Sequence, residues 1–293
     1  LAHQVENEIS KLGKSTQAKS TCVYGGTAYE KQIENLRRIK PQIVVGTPGR
    51  IIDMIEKGHL DLTHVDYCVL DEADEMLTMG FLEDVNTILD SVKKERQLFM
   101  FSATMPKAIL KMIDRSFAEH ILVKIEKESI SNESIEQKYF LVRDKFFKEA
   151  LARLIDSTSD LYGIVFCRTK IETKEVGDDL KKRGKSVEVL NGDMGQLERD
   201  HAMRNFKSKR VNILVCTDVA ARGIDVSNLT HVFNYGPPRD NESYVHRIGR
   251  TGRAGQKGCA FTIIGHKSES VITKLERHIN KKITKSKLPT LGE

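Results

Sequence analysis

The sequence contains no tryptophan, only six prolines and five cysteines among its 293 residues. The cysteines are scattered and none forms a C-x-x-C pair. An odd number of cysteines within apolar, strand-like segments is typical of reduced core thiols, so a disulfide framework and a cysteine zinc site are excluded. No segment approaches the roughly 18 uninterrupted apolar residues that a membrane-spanning helix needs. The sequence therefore excludes the class of membrane proteins, and a cytoplasmic location is expected.

Neither sign of charge dominates the sequence. Lysine and arginine number 47, and aspartate and glutamate number 41, which gives a formal net charge of +6. This mild basic excess fits a surface that binds a polyanion but identifies none. Apolar residues make up 39% of the chain, which is enough to exclude wholesale disorder. The length suits two domains of roughly 150 residues each.

Short apolar segments alternate with longer segments of helical periodicity. Strands that are apolar throughout and separated by helices predict a parallel sheet with helices on both faces, which is an α/β fold. The predicted strands are Ser20–Tyr24, Gln42–Gly46, Tyr67–Leu70, Leu98–Phe101, Ile121–Ile125, Gln137–Val142, Gly163–Cys167, Ser186–Leu190, Asn212–Cys216, His231–Tyr235 and Gly258–Ile264.

A polar, aperiodic segment, Glu126–Glu136, interrupts this alternation once and predicts an exposed linker. It divides the chain into a first domain of residues 1–125 and a second domain of residues 137–283. Residues 284–293 are basic and then contain proline, and we expect them to lie on the surface or to fray. Leu1 stands within an apolar-periodic segment, which predicts that the chain is a fragment.

Carboxylates follow one apolar strand at the edge where open α/β sheets bind their ligands. Asp71-Glu72-Ala73-Asp74 comes directly after Tyr67–Leu70. Such acids can hold hydrated Mg²⁺ on the phosphates of a nucleotide and orient a water molecule. They would equally suit a helix N-terminus, whose dipole favours acids, and the spacing alone leaves both interpretations open. After a later strand, Ser102-Ala103-Thr104 is on its own typical of a helix cap.

Arginines are interleaved with glycines in the segment His246–Arg253. Arg247, Arg250 and Arg253 follow one another at a spacing of three residues. Arginine offers a planar, permanently charged fork that binds phosphate oxygens. The segment therefore predicts a dense cationic loop that stabilises phosphate groups.

Two other segments resemble the end of a phosphate-binding loop and are excluded. Gly13-Lys14-Ser15 and Gly184-Lys185-Ser186 lack the first glycine of that motif, since Glu8 and Asp179 stand at its position. Each of them also follows a predicted helix, whereas the motif follows a strand. No P-loop is present in these 293 residues.

Taken in order, these loops resemble the DEAD-box ATP-dependent RNA helicases, most closely the bacterial cold-shock-type members. Any one of the segments is common, but their joint occurrence in this order leaves little room for coincidence. The segments that carry the resemblance are Gly25-Gly26, Thr47–Arg50, Asp71–Asp74, Ser102–Thr104, Ile164–Thr169, Gly192–Arg199, Thr217–Asp225 and His246–Arg253.

The resemblance implies two RecA-like domains, each with a mostly parallel sheet and helices on both faces. The first domain would be incomplete, because the family's adenine-reading glutamine segment and P-loop would precede Leu1. ATP and Mg²⁺ are the implied cofactors, and RNA, bound mostly through its backbone, is the implied partner. A monomer, regulated by other proteins and independent of membranes, is also expected.

The family's residue roles can be carried over to the matching positions. Asp71 and Glu72 would organise Mg²⁺ through water, and Arg250 and Arg253 would act as arginine fingers on the transferring phosphate. Asp225 would hold the ATP ribose. The residues that would couple hydrolysis to domain closure are Asp74, Ser102, Thr104 and His246. The residues that would line the RNA track are Gly26, Thr47, Arg50, Arg168, Gly192, Gln196, Arg199, Thr217 and Arg222.

Two positions depart from the family pattern: Asn191 replaces the usual histidine, and Gly236 stands where an acidic residue is common. The leading hypothesis is an enzyme in which ATP hydrolysis drives RNA clamping and local strand separation. A non-catalytic RNA-binding clamp or scaffold is the alternative, and a DNA translocase of a related superfamily is the third. Readout of the 2′-hydroxyl separates RNA from DNA, and a sequence does not reveal it.

Overall fold

Strands and helices alternate along the chain in the computed structural model, which describes residues 1–116, 119–124, 134–221, 226, 229–252 and 256–290. The chain divides into two compact units, Leu1–Ile125 and Glu126–Glu293. Every paired strand in the described residues runs parallel to its neighbour, which confirms the predicted α/β class. In the same residues, no helix is long and apolar enough to cross a membrane.

The first unit contains short strands joined by helices. Its strands are β1 (Ser20–Val23), β2 (Ile43–Gly46), β3 (Tyr67–Leu70) and β4 (Gln97–Met100). Its helices are α1 (Ala2–Leu12), α2 (Tyr29–Ile39), α3 (Pro48–Glu56), α4 (Ala73–Thr78), α5 (Leu82–Ser91) and α6 (Lys107–Ser116).

Two parallel pairs, β1–β2 and β3–β4, form the sheets of this unit. Val23 of β1 is packed with Ile33 and Leu36 of α2 and with Met54 of α3. A second cluster joins β3 to α5 and α6. Because side chains of a strand alternate between its faces, these clusters use one face of each strand.

The opposite face of β3 and β4 is apolar and exposed. Tyr67 and Val69 of β3 are 68% and 57% exposed, and Phe99 and Phe101 are 39% and 57% exposed. Parallel sheets are normally covered on both faces. This face therefore lacks a covering layer among the described residues of the first unit.

The second unit is built on a larger sheet. Its strands are β5 (Ile135–Leu141), β6 (Gly163–Cys167), β7 (Val187–Leu190), β8 (Ile213–Thr217), β9 (His231–Tyr235), β10 (Gly258–Ile264) and β11 (Thr284–Lys285). Its helices are α7 (Phe147–Asp156), α8 (Lys170–Lys182), α9 (Gln196–Lys207), α10 (Asp218–Ala221), α11 (Asn241–Ile248) and α12 (Glu269–Ile279).

The seven strands form one parallel sheet in the order β11-β5-β10-β9-β6-β8-β7. One face packs against α7 and α8 through a cluster that includes Val165 and Val215. The other face packs against α9 and α10 around Ile164, and against α11 and α12 around Ile135. Helices thus cover both faces of this sheet, as the apolar strands predict.

Ten of the predicted strands overlap observed ones, and one prediction is wrong. Residues 121–124, the described part of Ile121–Ile125, form no strand, and their side chains Ile121, Leu122 and Val123 are 92%, 61% and 79% exposed. A run of apolar residues does not form a strand unless another strand pairs with it.

The boundaries of the second unit also differ from the prediction. β5 begins at Ile135, two positions inside the predicted linker Glu126–Glu136, of which residues 126–133 lie outside the described part. At the other end, Thr284 and Lys285 are exposed but pair with Lys138 and Tyr139 as a short edge strand.

Candidate functional site

The loop after β3 carries the first two acids of the Asp-Glu-Ala-Asp segment. Oδ1 of Asp71 accepts a hydrogen bond from the backbone N–H of Glu72 at 3.0 Å. Glu72 has a left-handed backbone with φ of 52°, which costs energy in a residue that has a side chain and is typical of functional sites. It precedes α4, but its side chain makes no capping hydrogen bond. Both acids stand directly before α4, so the interpretation as a helix N-terminus that favours acids stays open beside that of a Mg²⁺ site.

Asp74 fastens the loop after β3 to the loop after β4. Asp74 is only 8% exposed, and its Oδ2 accepts hydrogen bonds from the backbone N–H and the hydroxyl of Thr104, at 2.8 and 2.7 Å. The backbone N–H of Asp74 donates to Oγ of Ser102 at 3.2 Å, and that hydroxyl donates to the carbonyl of Thr104 at 2.6 Å. The three residues therefore form one connected network.

The charge of Asp74 is maintained despite its burial. Burial alone would raise the pKa of this carboxyl group, but the hydrogen bonds from Thr104, Ser102 and the backbone N–H of Glu75 together outweigh that effect. The pKa of Asp74 therefore lies below its ordinary value, because hydrogen bonds to a carboxylate favour the ionised form.

Three residues of the expected RNA track follow β1 and β2 at their carboxyl ends. Gly26 is exposed and has a φ of 77°, a conformation that glycine adopts without strain. Thr47 precedes α3, and Arg50 lies in the first turn of that helix. The Arg50 guanidinium lies 4.9 Å from the ring centre of Tyr29, and its Nη1 is buried with no hydrogen-bond partner in the described structure. Such an atom is suited to an added acceptor such as a phosphate oxygen.

In the second unit, Arg168 follows β6 and is held by Glu172. Its backbone N–H and its Nη2 donate to the two carboxylate oxygens of Glu172, at 2.9 and 3.2 Å. Arg239 donates from Nη2 to the carbonyl of Arg168 at 3.4 Å. Arg168 is exposed, so its guanidinium is accessible at the carboxyl edge of the sheet.

Further members of the expected RNA track lie at the same edge, after β7 and β8. Gly192 is exposed, and a side chain there would have open space around it. Arg199 donates to the carbonyl of Asn191 at 3.3 Å, and Gln196 donates to Asp200 at 2.8 Å. The hydroxyl of Thr217 accepts the backbone N–H of Ala220 at 3.3 Å. Together with Arg168 after β6, these residues therefore lie at the ends of three neighbouring strands, β6, β8 and β7.

The two departures from the family pattern have local explanations. Asn191 is 9% exposed, and its side-chain oxygen accepts the backbone N–H of Asp193 at 3.0 Å, which stabilises the turn. Gly236 has a φ of 96°, and an added Cβ would lie 3.4 Å from Nε of Arg168. Together with Tyr235 and Pro237, Arg168 borders a pocket of about 240 Å³. The positive φ disfavours a residue with a side chain at position 236, whereas an added Cβ would make only an ordinary van der Waals contact with Arg168.

The prediction that Arg247 belongs to a cationic phosphate loop is wrong. Arg247 lies within α11 and is 1% exposed. Its Nε and Nη2 donate to both carboxylate oxygens of Asp218, at 2.5 and 2.7 Å, and its Nη1 donates to Asn234 at 3.1 Å. A guanidinium with these partners is a structural tie from α11 to the first residue of α10 and to β9. The sequence did contain a signal for the burial of Arg247. The helical periodicity of Asn241–Ile248 places this arginine beside Tyr244 and Ile248.

The remaining predicted residues fall into two groups. His246 lies in α11 and Arg250 directly after it, both half-buried in the second unit. Because His246 and Asp74 belong to different units, the expected contact between them stays a prediction. Arg222, Asp225 and Arg253 lie outside the described residues.

Sequence comparisons identify the family. Residues 1–112 match the family model of the DEAD/DEAH box helicases, and residues 147–255 match that of the helicase conserved C-terminal domain. The chain is 45% identical over 293 residues to the DEAD-box ATP-dependent RNA helicase CshA of Geobacillus kaustophilus, covering all of this chain and 62% of that protein. The corresponding protein of Bacillus subtilis is 44% identical over 295 residues, and 59% of it is covered. The chain thus spans about three-fifths of the length of these relatives.

Comparison with solved structures leads to the same family. A DEAD box protein from Methanococcus jannaschii is 44% identical, with a TM-score of 0.53 and coverage of 97% of this chain and 77% of that one. S. cerevisiae Dbp5 bound to RNA and ADP BeF3 is 26% identical, with a TM-score of 0.86 and coverage of 98% and 75%. The chain belongs to the DEAD-box family, and its fold class, α/β with two RecA-like domains, is confirmed.

Proposed function

We propose that these residues form part of an ATP-dependent RNA helicase that couples ATP binding and hydrolysis to RNA clamping and local strand separation. The observation that carries the proposal is the network of Asp74, Ser102 and Thr104, which ties the acid loop after β3 to the loop after β4. In such a network a change at one loop is transmitted to the other through short hydrogen bonds. The relatives' names and their share of identity add independent support.

The donor set of the acid loop fits Mg²⁺ bound with a nucleotide. Asp71 and Glu72 are adjacent carboxylates at a strand end, and the described residues contain no group of three or more His, Cys, Asp or Glu that could enclose a metal. Mg²⁺ characteristically uses one or two carboxylates and completes its shell with water and phosphate oxygens. Bound there, the ion would neutralise charge on the ATP phosphates. Asp71 would hold it through water, and Glu72 would orient the attacking water.

The proposed ATP-binding residues of the second unit are Arg250, Arg253 and Asp225. Arg250 and Arg253 would stabilise the charge that develops on the transferring phosphate, and Asp225 would bind the ribose. A P-loop is absent from the 293 residues, so we propose that the groups that cradle the phosphates belong to a further segment of the full-length protein. Turnover is therefore measured on the full-length protein.

The proposed RNA track uses arginine side chains and exposed loop backbone in both units. If Arg50, Arg168, Arg199 and Arg222 neutralise four phosphates, log Kd for single-stranded RNA should rise with log salt with a slope of roughly 3. Replacing Arg50 with glutamine should reduce that slope by about 0.7. Binding of labelled single-stranded RNA to the 293-residue chain across a salt series tests this.

The matched control is Arg153→Gln, which removes an arginine that is paired with Glu149 on the surface of α7. It should leave both affinity and slope unchanged. A flat salt response, or a strong preference for one RNA sequence, would contradict a track that binds the backbone.

A non-catalytic RNA clamp or scaffold, regulated by other proteins, is the second candidate. An exposed Asp71 and a half-buried Glu72 after β3, together with a half-buried Arg250 in the second unit, favour an enzyme, because a scaffold needs none of them. ATPase activity of the full-length protein with RNA, with DNA and with neither separates the candidates. Turnover stimulated by RNA alone supports the helicase, stimulation by DNA supports a translocase, and RNA binding without turnover supports the scaffold.

A further inference from the structure

Gln32 is a buried polar residue to which the proposed mechanism assigns no role. It lies in the second turn of α2 and is only 6% exposed. Burying a side-chain amide is unfavourable unless its polar atoms are hydrogen-bonded. Its partners therefore indicate what the residue does.

All three hydrogen bonds of the Gln32 amide go to the segment that joins β1 to α2. Its Oε1 accepts the backbone N–H of Tyr24 at 3.0 Å, and its Nε2 donates to the carbonyl of the same residue at 3.0 Å. The Nε2 also donates to Oγ1 of Thr27 at 2.5 Å. The amide thus binds residues on both sides of Gly25 and Gly26.

Besides Gln32, the hydroxyl of Thr27 donates to the carbonyl of Tyr24 at 3.3 Å, and the Tyr24 ring contacts that of His3 edge-on. The last pair of the β1–β2 ladder is Val23 with Gly46, so the turn begins where the ladder stops. The residue before α2 is Ala28, which has no side chain that could cap the helix. Gly25 and Gly26 are exposed, and glycine has more backbone freedom than any other residue. A turn of this kind needs a tie from elsewhere to keep one shape.

We propose that Gln32 is a positioning residue for RNA: its side-chain amide holds the Gly25–Gly26 turn in the conformation that contacts the RNA backbone. This inference rests on the proposed RNA-binding role of Gly26. Without the amide, the turn samples several conformations, and RNA binding must then select one of them at a cost in affinity.

The test is RNA affinity of the 293-residue chain carrying Gln32→Met, which keeps the length of the side chain and removes all three hydrogen bonds. We expect the Kd for labelled single-stranded RNA to rise about tenfold. The salt slope should stay at the wild-type value, because no cation is removed. The fraction of active protein, measured by titration at saturating RNA, should also be unchanged, and amide exchange of Gly25 to Thr27 should accelerate.

Gln42→Met is the control for loss of the amide from an exposed glutamine. Gln42 also accepts a backbone N–H, that of Lys19 at 2.8 Å, but it precedes β2 and lies away from the turn. It should bind RNA with the wild-type Kd. Thr27→Val is a milder second variant, which removes one of the partners of Gln32 and the hydrogen bond from Thr27 to the carbonyl of Tyr24, and it should raise the Kd about threefold. Together with Gln32→Met its effect should be less than additive, because the two changes break one shared bond.

The outcomes separate the two proposals. If wild-type protein binds RNA and both Gln32→Met and Thr27→Val bind it equally well, the positioning role is overturned. If Gln32→Met fails to fold, as amide exchange across β1 and β2 would reveal, the Kd of Thr27→Val decides alone. If wild-type protein does not bind RNA, the proposed function itself fails, and the positioning role fails with it.

Discussion

Asp74 shows how a buried charge can be maintained by neighbouring hydrogen-bond donors. Burial opposes its ionisation, and the N–H and hydroxyl of Thr104, together with Ser102 and the backbone N–H of Glu75, reverse that effect. We expect Thr104→Val to raise the pKa of Asp74. The substitution removes the hydroxyl that donates to the carboxylate, so one donor fewer opposes the effect of burial. Carbon-detected NMR titration of the carboxyl groups measures this directly.

The same hydrogen bond makes stability depend on pH. A carboxyl group whose pKa is depressed in the folded state stabilises the fold above its unfolded pKa of about 3.9, and this stabilisation is lost as the pH falls through the folded value. Thr104→Val should therefore destabilise the first unit by about 1.5–3 kcal/mol near neutral pH and by less in acid. Thr87→Val is the control, since its hydroxyl bonds only a helix carbonyl. A difference between wild type and Thr104→Val that is constant with pH would contradict the explanation.

The site residues differ in how well the sequence could predict them. Strand ends followed by acids or small hydroxyl residues predicted where Asp74 and Thr104 lie, because parallel strands present their carboxyl ends at one edge. Arg247 and Arg250 have the same residue type and a regular spacing, yet one is buried against Asp218 and the other is half-buried after the helix. Arg250 lies beyond the end of α11 at Ile248, so the helical geometry does not continue to it and equal spacing does not give equal exposure. The hydrogen bonds of Gln32 depend on the conformation of the loop that folds back over it. The periodicity of a sequence does not predict that conformation.

At the scale of elements, the start of β5 shows where a linker ends and a domain begins. Polarity placed Ile135 in the linker, but its side chain is fully buried and its backbone pairs with Gly258 of β10. An added Cβ at Gly252 would lie 2.5 Å from Cγ1 of Ile135, and Ser134 donates to the carbonyl of Gly252 at 3.2 Å. A single apolar residue between polar ones carries little periodic signal, so the tertiary contact decides the boundary.

This boundary can be tested on shortened chains of the second unit. A chain that begins at Ser134 keeps Ile135, whereas one that begins at Gln137 loses it and opens a cavity against α11 and α12. We expect the shorter chain to be less stable by about 2–5 kcal/mol, the effect of removing a buried isoleucine side chain, as measured by urea unfolding. A chain that begins at residue 126 serves as the control and should match the one that begins at Ser134. Equal stability of all three would place the boundary at Gln137 instead.

At the scale of the whole molecule, the proposed catalytic residues are divided between two units with different architectures. Asp71 and Glu72 follow β3 in a unit of two-stranded sheets, and Arg250 follows α11 in a unit built on seven strands. The α/β pattern predicted both units, because alternation of apolar strands and helices is a property of the sequence. It could not predict that β11 extends the larger sheet, since two exposed residues, Thr284 and Lys285, have no apolar pattern of their own.

The division of the proposed catalytic residues between two units predicts a specific phenotype for Arg250→Ala in the full-length protein. An arginine finger binds charge that grows in the transition state, so its loss should lower RNA-stimulated turnover by roughly 10³-fold or more. RNA affinity without nucleotide should change far less, because the proposed track uses Arg50, Arg168 and other arginines. Steady-state ATPase rates and RNA titrations on the same preparation provide both quantities.

The charge and the shape of Arg250 can be separated by a second substitution. Arg250→Lys keeps the charge but loses the planar fork that binds two phosphate oxygens, so it should recover only a small part of the turnover. Arg153→Ala, which removes a surface arginine paired with Glu149, should retain wild-type turnover and RNA affinity. Wild-type turnover in Arg250→Ala would remove this residue from the catalytic set. An equal loss of RNA affinity would instead assign it to the RNA track, because a group that acts only on the transition state leaves ground-state RNA binding unchanged.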